Sequence, residues 1–572
     1  ARRLDEQHLP TLMHLAEAYE RNAEWRKSVD VLEKALAMLP QAWNPTPLRL
    51  RVARLYAAHD PPKALENLQG VLDRDPKHPE ALELFLQLCS KSGDTEGARR
   101  AAHALLEAAD GVPGRVAALT KIGELESEAG NADSAAEALH MAVVLEGPGG
   151  GAANAYRKVL GRRDAQGRYV EALTQHIERV RRGELVDAEL VKSYLEVARI
   201  MREQLGDHTR ALVALKRAVA QLPDDPSLGL ELSEQLARMG RQAEATAELE
   251  RQLLQDPSRA GAWRLLARLL QELGRPMDAA LAVAPVMLFD KPSSVEKNLY
   301  QRGRDAPRDI RAGCLSREWL DKVAKSSGED STVTELAQLL GEALLKLRPF
   351  DPSRWGLSSR DRLGPRDDHP LRAVLDETLR VFGLDRYELY LHQKRDPGVQ
   401  AQGDRTPILV APAALGSRPV AQQRFLLARA LVPFARGLAP AFVFGTDELD
   451  KTMAAAIRGQ DSNYLDKRFD ENELASLEKQ LGRGLSRRNK KALANPANEL
   501  VSRRFDVAAW REIVEQSATF AAALYVGDLV ACYEALRTEG SEPPNSPRAL
   551  VSFWGAARSF DLRHLAGLSP RG

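Results

Sequence analysis

The stretch AQQRFLLARALVPFARG, residues 421–437, is apolar at Phe425, Leu426, Ala428, Leu431, Val432 and Ala435. That spacing predicts a helix with one buried face. A strand is predicted just before it, over 407–412 (PILVAP). Side chains four residues apart share a helix face. Two histidines so placed hold a zinc ion, and a glutamate beside the first serves as base. Here the corresponding positions hold Arg429, Ala430 and Pro433, which are a cation, a methyl group and an imino ring. None of the eleven histidines stands four residues from another. No G-x-x-x-x-G-K-[ST] phosphate loop occurs, and no serine, cysteine or threonine carries a local nucleophile signature. Ser517 has no evident base. The most basic run is 482–491 (GRGLSRRNKK), with Arg483, Arg487 and Arg488, followed by Arg503 and Arg504. It could meet phosphates or an acidic partner. No aromatics are interleaved, however, and Glu471, Glu473 and Glu478 lie just upstream. A solvated loop and helix end is the better reading, and nucleic acid is not an expected partner.

The elements that must position these residues are mostly helical. With 572 residues the chain has room for several domains or for a repeat array plus one domain. A net charge of +1 gives no global pull toward nucleic acid or anionic membrane. The three cysteines, Cys89, Cys314 and Cys532, are far apart and odd in number. They are expected to be reduced and buried, which points to a cytoplasmic setting. No apolar run approaches the ~18 residues of a membrane span. The first residues, ARRLD, read as no secretory leader.

Residues 8–290 repeat with a period of about 34. One unit reads Trp263, Leu266, Ala267, Leu270, Gly274, Ala279, Val283, Val286; the unit before it has Ser233, Leu236, Gly240, Ala245, Leu249 and Pro257. The first has Leu15, Ala16, Tyr19, Trp25, Ser28, Leu32, Ala35 and Pro40. Small residues let the two helices of a unit approach, large ones fill the layer between units, and proline closes the second helix. This resembles the tetratricopeptide (TPR) repeat over about eight units. The resemblance implies an α-solenoid with a concave groove that binds a partner peptide or helix. Groove candidates are Arg51, Lys121, Lys158, Lys192 and Arg264. The run 147–151 (GPGGG) breaks any helix and reads either as a hinge or as a longer inter-repeat turn.

After residue 290 the period vanishes. Residues 291–364 read as a helical connector and loop, with one or two helices over 318–347, including 332–347, and an ordered loop over 348–368. A helix over 369–382 ends at Gly383. Strands follow at 387–391 and 407–411, with a turn at 400–405 between them, and then the helix already described. This order is similar to the catalytic domain of HtpX-like gluzincin zinc peptidases over roughly 365–540. The family's later E-x-x-A-D motif, on a second helix, is matched by Glu515 and Ala518 and departed from at Thr519. The resemblance implies a metal between the two helices. With only Glu515 left of the ligand set, the expectation is no cofactor, no metal and no catalysis. Arg429 could pair with Glu515 across the gap, or both could face solvent. Residues 541–546 (SEPPNS) read as a linker, and 547–566 as a last helix that docks through Trp554 and Phe560.

The sequence therefore predicts a mostly α protein: a TPR-like array over 1–290, then a degenerate metallopeptidase-like α+β domain with a small sheet, and a tail over 541–572. The function it points to is a non-catalytic scaffold that binds other proteins within a larger complex. The alternatives are a hydrolase with an unrecognised site, or weak binding of nucleic acid or an acidic partner through 483–504.

Overall fold

The structure is a computed structural model that describes residues 8–161, 165–182, 187–364, 367–393, 398–403, 405–461, 464, 466–503, 505–540 and 547–570. It divides into two compact units, 1–235 and 236–572.

The first unit is a series of helical hairpins. They are Leu9–Arg21 with Trp25–Ala37, Thr46–Tyr56 with Pro61–Leu72, Pro79–Ser92 with Thr95–Ala108, Val112–Glu128 with Ala132–Glu146, Gly151–Leu160 with Ala165–Arg182, and Asp187–Glu203 with His208–Gln221. The helix Pro226–Arg238 carries the division between the units, and Gln242–Gln255, Ala260–Glu272 and Pro276–Ala282 continue the helical pattern in the second. No strand occurs among the described residues of 8–290. The turns inside hairpins are built alike. Gly130, Gly240 and Gly274 each sit one residue before the cap of a following helix, with φ of 82°, 72° and 71°. Asp60, Asp94 and Asp207 cap their helices by accepting a backbone N–H three residues on.

Buried small residues set the helix spacing. Ala16, Ala35, Ala53, Ala64, Ala98, Ala135 and Ala211 are fully enclosed. A Cβ on Gly123 would come within 2.4 Å of the Leu139 side chain on the paired helix. Successive hairpins are clamped by Arg–Glu pairs separated by about one repeat. Arg51 donates to Glu20 at 2.8 and 3.0 Å, Arg99 to Glu126 at 2.6 Å, and Arg157 to Glu196 at 3.3 Å. The GPGGG run supplies a short connection from Glu146 to the helix that begins at Gly151. Within it Gly147 has φ 87°, and a Cβ there would meet the His176 ring at 2.7 Å.

Among its described residues the second unit holds one three-stranded sheet. β1 (Glu388–His392) is parallel to β3 (Ile408–Pro412), and β2 (Gln400–Gln402) is antiparallel to it, in the order β1-β3-β2. β1 and β3 match the sequence expectation. Gln400–Gln402, read as a turn, is instead an edge strand. Its side chains show no apolar alternation, and pairing to β3 makes it a strand. Phe350, Trp355 and Tyr390 cluster beside Leu357 and Val410, so the loop after residue 348 packs on the sheet.

The helix Ser331–Leu347, expected in a connector, is central to a hydrophobic core. Val333, Leu336, Ala337, Leu340, Ala343 and Leu344 pack with residues of 438–514, including Met453, Ile457, Leu500 and Trp510. Trp510 donates its indole N–H to Thr334. The C-terminal region forms two helices, Pro547–Trp554 and Ala557–Leu565. Trp554 is fully buried and donates to the Leu281 carbonyl, while Trp319 donates to that of Leu562. The expected linker 541–546 lies outside the described residues.

Candidate functional site

The helix Val420–Ala435 buries Phe425, Leu426, Leu427, Ala428, Leu431, Val432 and Phe434, as its apolar spacing requires. It packs side by side with Val507–Val526, a helix lined with buried alanines at 518, 521, 522 and 523. The face of Val420–Ala435 that carries Arg429, Ala430 and Pro433 opens on a cavity of about 800 Å³. Glu515 and Ala518 of the second helix line the same cavity, as do 398–402, which include β2. Residues separated by more than eighty positions thus surround one space. The helix continues through Pro433 and ends at Ala435.

Arg429 is not paired with Glu515. Its guanidinium donates to Glu539 at 2.6 Å. Glu539 ends the helix Leu529–Glu539, which packs on Val420–Ala435 and delivers this carboxylate, a partner with no local signal in the sequence. Glu515 lies 3.4 Å from Arg511 one turn earlier on its own helix. Arg511 also donates to the Phe444 carbonyl and covers the Phe442 ring. Two further arginines, Arg418 and Arg537, line the cavity. The Gln423 amide anchors the Arg418 backbone by donating to the carbonyls of Gly416 and Arg418 at 3.1 and 2.7 Å. Ser517 does not line the cavity. It is buried, donates to the Val514 carbonyl, and lies 3.5 Å from Glu329.

A zinc ion does not fit this donor set. Arg429 contributes a fixed positive charge, while Ala430 and Pro433 have no side-chain donor. Among the described residues no three His, Cys, Asp or Glu side chains converge as a metal site. What the arrangement can do is bind. It offers guanidinium forks and carboxylates beside an apolar wall of Leu415, Leu426, Phe442 and Val443.

The other sequence candidates fall into two groups. Arg51 is held by Glu20. Arg264 is held by Asp290 at 2.6 Å and Glu296 at 2.7 Å, so it staples its helix to the segment that follows. Lys121 lies 3.3 Å from Glu124 one turn on, whereas Lys158 and Lys192 are exposed. Arg483 lies in the last turn of the helix Glu471–Gly484; Arg487 and Arg488 begin the short helix Arg487–Ala492, and all three are exposed. Arg503 is engaged with Asp330 at 2.7 and 2.8 Å, and Arg504 lies outside the described residues.

Residues 55–122 and 204–269 match the sequence model of the tetratricopeptide repeat. No curated protein matches the chain. Among solved structures, a tetratricopeptide repeat protein from Parabacteroides merdae is 15% identical, covering 52% of this chain and 98% of its own, with a TM-score of 0.23. The MamA protein is 20% identical, covering 31% and 92%, with a TM-score of 0.20. The C-terminal part of a TPR repeat-containing protein from Cytophaga hutchinsonii is 13% identical, covering 39% and 86%, with a TM-score of 0.24. The repeat assignment rests on the sequence match together with the helical hairpins. No helix among the described residues is long and apolar enough to cross a membrane.

Proposed function

We propose that this chain is a non-catalytic scaffold for protein–protein interaction. In this reading the array over 1–290 offers a groove to a partner peptide or helix. The domain over 365–540 is a degenerate peptidase that adds a second docking surface. Repeat arrays of this kind present extended binding surfaces, and two stretches of the chain match the TPR model. The observation that carries the second half is the single cavity lined by Arg429, Ala430, Pro433 and Glu515. In this reading a cation, a methyl group and an imino ring stand where ligand, base and ligand of a metal-holding helix pair would be. Lys121, Lys158 and Lys192 are the proposed groove contacts, and Arg483, Arg487 and Arg488 a second patch for an acidic partner surface. The proposed setting is a cytoplasmic multiprotein complex.

The test uses the full chain as bait, with cross-linking to locate captured partners. Charge reversal at Lys121, Lys158 and Lys192 is expected to weaken capture without lowering the melting temperature. Cross-links confined to 365–540, with capture unaffected by the reversals, would remove the groove from the reading. Zinc content and casein hydrolysis are measured on the same preparation. Stoichiometric zinc, or hydrolysis abolished by Glu515→Ala, would overturn the non-catalytic assignment.

A further inference from the structure

The cavity beneath β2 has a charge pattern that its resemblance to a metallopeptidase cleft does not explain. Among the described residues four arginines line it, at 418, 429, 511 and 537, against two glutamates, at 515 and 539. The formal balance is four minus two, or +2. Two of the arginines are already matched, Arg429 by Glu539 and Arg511 by Glu515. The surplus therefore lies on Arg418 and Arg537. Arg537 is exposed and makes no ion pair among the described residues. Arg418 differs: it is half-buried and lines the cavity, with one nitrogen, Nη1, enclosed without a hydrogen-bond partner. A buried guanidinium N–H without an acceptor is costly, because the group has lost water and gained nothing in return. The Arg418 backbone is meanwhile fixed by the Gln423 amide, so the guanidinium is held on a rigid support rather than a free loop.

We propose that this cavity binds an organic carboxylate attached to an apolar body. Arg418 and Arg537 would receive the charged end, and Leu415, Leu426, Pro433 and Phe442 the apolar part. A guanidinium presents two parallel N–H donors that match a planar carboxylate. Glu515 and Glu539 sit in the same space and repel a multiply charged phosphate more than a monoanion. The volume of about 800 Å³ suits a compact ligand or the end of a chain. The carboxylate could come from a free acid or from the C-terminus of a peptide. The inference deepens the non-catalytic reading of this cavity and rests on it.

The test is calorimetry on the full chain with four probes: hexanoate, hexanamide, acetyl-Ala-Ala-Leu as free acid, and the same peptide as its C-terminal amide. At least one acid is expected to bind, and its amide to bind about tenfold more weakly or not at all. Tighter binding of the free-acid peptide assigns the site to a chain terminus; tighter binding of hexanoate assigns it to a small acid. Arg418→Gln is expected to weaken the acid about tenfold, the loss of one charge-assisted contact, with an unchanged melting temperature. Glu539→Gln frees Arg429 and is expected to strengthen binding, a change that a merely structural role for Arg418 would not produce. Equal binding of acid and amide, or no binding of either acid, overturns the proposal. Mass spectra of the recovered peptides separate the two readings: a cleaved peptide overturns the non-catalytic assignment, whereas an intact but unbound peptide acid, with hexanoate also unbound, overturns only the carboxylate site.

Discussion

Arg436 and Glu329 form a two-pronged ion pair, 2.8 and 2.7 Å long, with both side chains only 3% exposed. Arg436 closes the helix that lines the cavity, and Glu329 lies just before Asp330, the cap of the central core helix Ser331–Leu347. Thr334, Ser517 and Asp321 complete the cluster, at 2.5 Å and 3.5 Å from Glu329 and 3.2 Å from Arg436 respectively. The pair therefore ties the cavity helix, the core helix and the Glu515 helix together. Two charges taken out of water repay that cost only while both are present. Glu329→Gln is expected to destabilise the fold by up to about 3–5 kcal/mol, by leaving buried Arg436 with only the half-exposed Asp321 as counter-charge. The double replacement Arg436→Met with Glu329→Leu should recover much of that loss, as read from the midpoint of urea unfolding. Equal losses in the single and double variants would show that the pair is not coupled.

Arg429 and Pro433 face one cavity with Glu515, and this places a second claim at risk. If the register read from the sequence is right, Arg429→His with Pro433→His should create three converging ligands with Glu515. Two histidines four residues apart plus a carboxylate from a neighbouring helix is a known zinc donor set. The double variant is expected to retain one zinc per chain after dialysis, and Glu515→Ala in that background to release it. Zinc retained regardless of Glu515 would mean that the two helices do not present these positions to each other.

The parts legible in the sequence are those set by period and residue size. Trp263, Ala279 and Leu249 are enclosed, as their repeat offsets require, and Val420–Ala435 forms where its apolar spacing puts it. The strands at Glu388–His392 and Ile408–Pro412 announce themselves by β-branched, leucine and aromatic residues. What was not legible depends on residues far apart in the chain. Gln400–Gln402 is a strand only because β3 lies beside it. Ser331–Leu347 was assigned to a connector because nothing in its own pattern distinguishes a helix covered on several sides from one at a domain edge. Arg429 took Glu539, 110 residues away, rather than the carboxylate suggested by the motif. Arg51 and Arg264 look like surface cations in sequence and are held by carboxylates about one repeat away.

His176 should give the GPGGG connection a pH dependence. The ring is buried, its Nδ1 lies 3.0 Å from the Val144 carbonyl, and Gly147 packs against it. Burial pushes its pKa below the ordinary value of 6.5, against the smaller raising effect of the Val144 carbonyl, and the nearby Arg179 acts in the same direction as burial. A group with a depressed folded pKa contributes stability above its unfolded value, and that stability is lost as pH falls through the folded value. Protection of the amides around 144–150 is therefore expected to be constant above about pH 6.5 and to decline below it. Hydrogen exchange followed by mass spectrometry reads this directly. His176→Leu should flatten the profile over that range, and a wild-type profile already flat between pH 5 and pH 7 would exclude His176 as its source.

Ala23 occupies the position that Gly130, Gly240 and Gly274 fill in other hairpins. Each of these residues follows the cap that ends one helix and precedes the cap that begins the next. The backbone there is left-handed, and Ala23 adopts it with φ 57°, alone among the described non-glycine residues. The geometry is forced by the turn between Leu9–Arg21 and Trp25–Ala37, where Ala23 donates its N–H to the Glu20 carbonyl and Glu24 donates to that of Tyr19. A Cβ in this conformation costs about 1–2 kcal/mol. Glycine removes that strain and loses about 0.5–1 kcal/mol through the greater freedom of the unfolded chain. Ala23→Gly is thus expected to stabilise the first hairpin by roughly 0–1.5 kcal/mol. Because the gain is local, the sensitive readout is slower exchange of the amides in 12–35, beside an unchanged rate in 95–146. The converse substitution, Gly240→Ala, should destabilise its own hairpin by about 1 kcal/mol. If Ala23→Gly instead speeds exchange in 12–35, the left-handed turn is not what limits this hairpin.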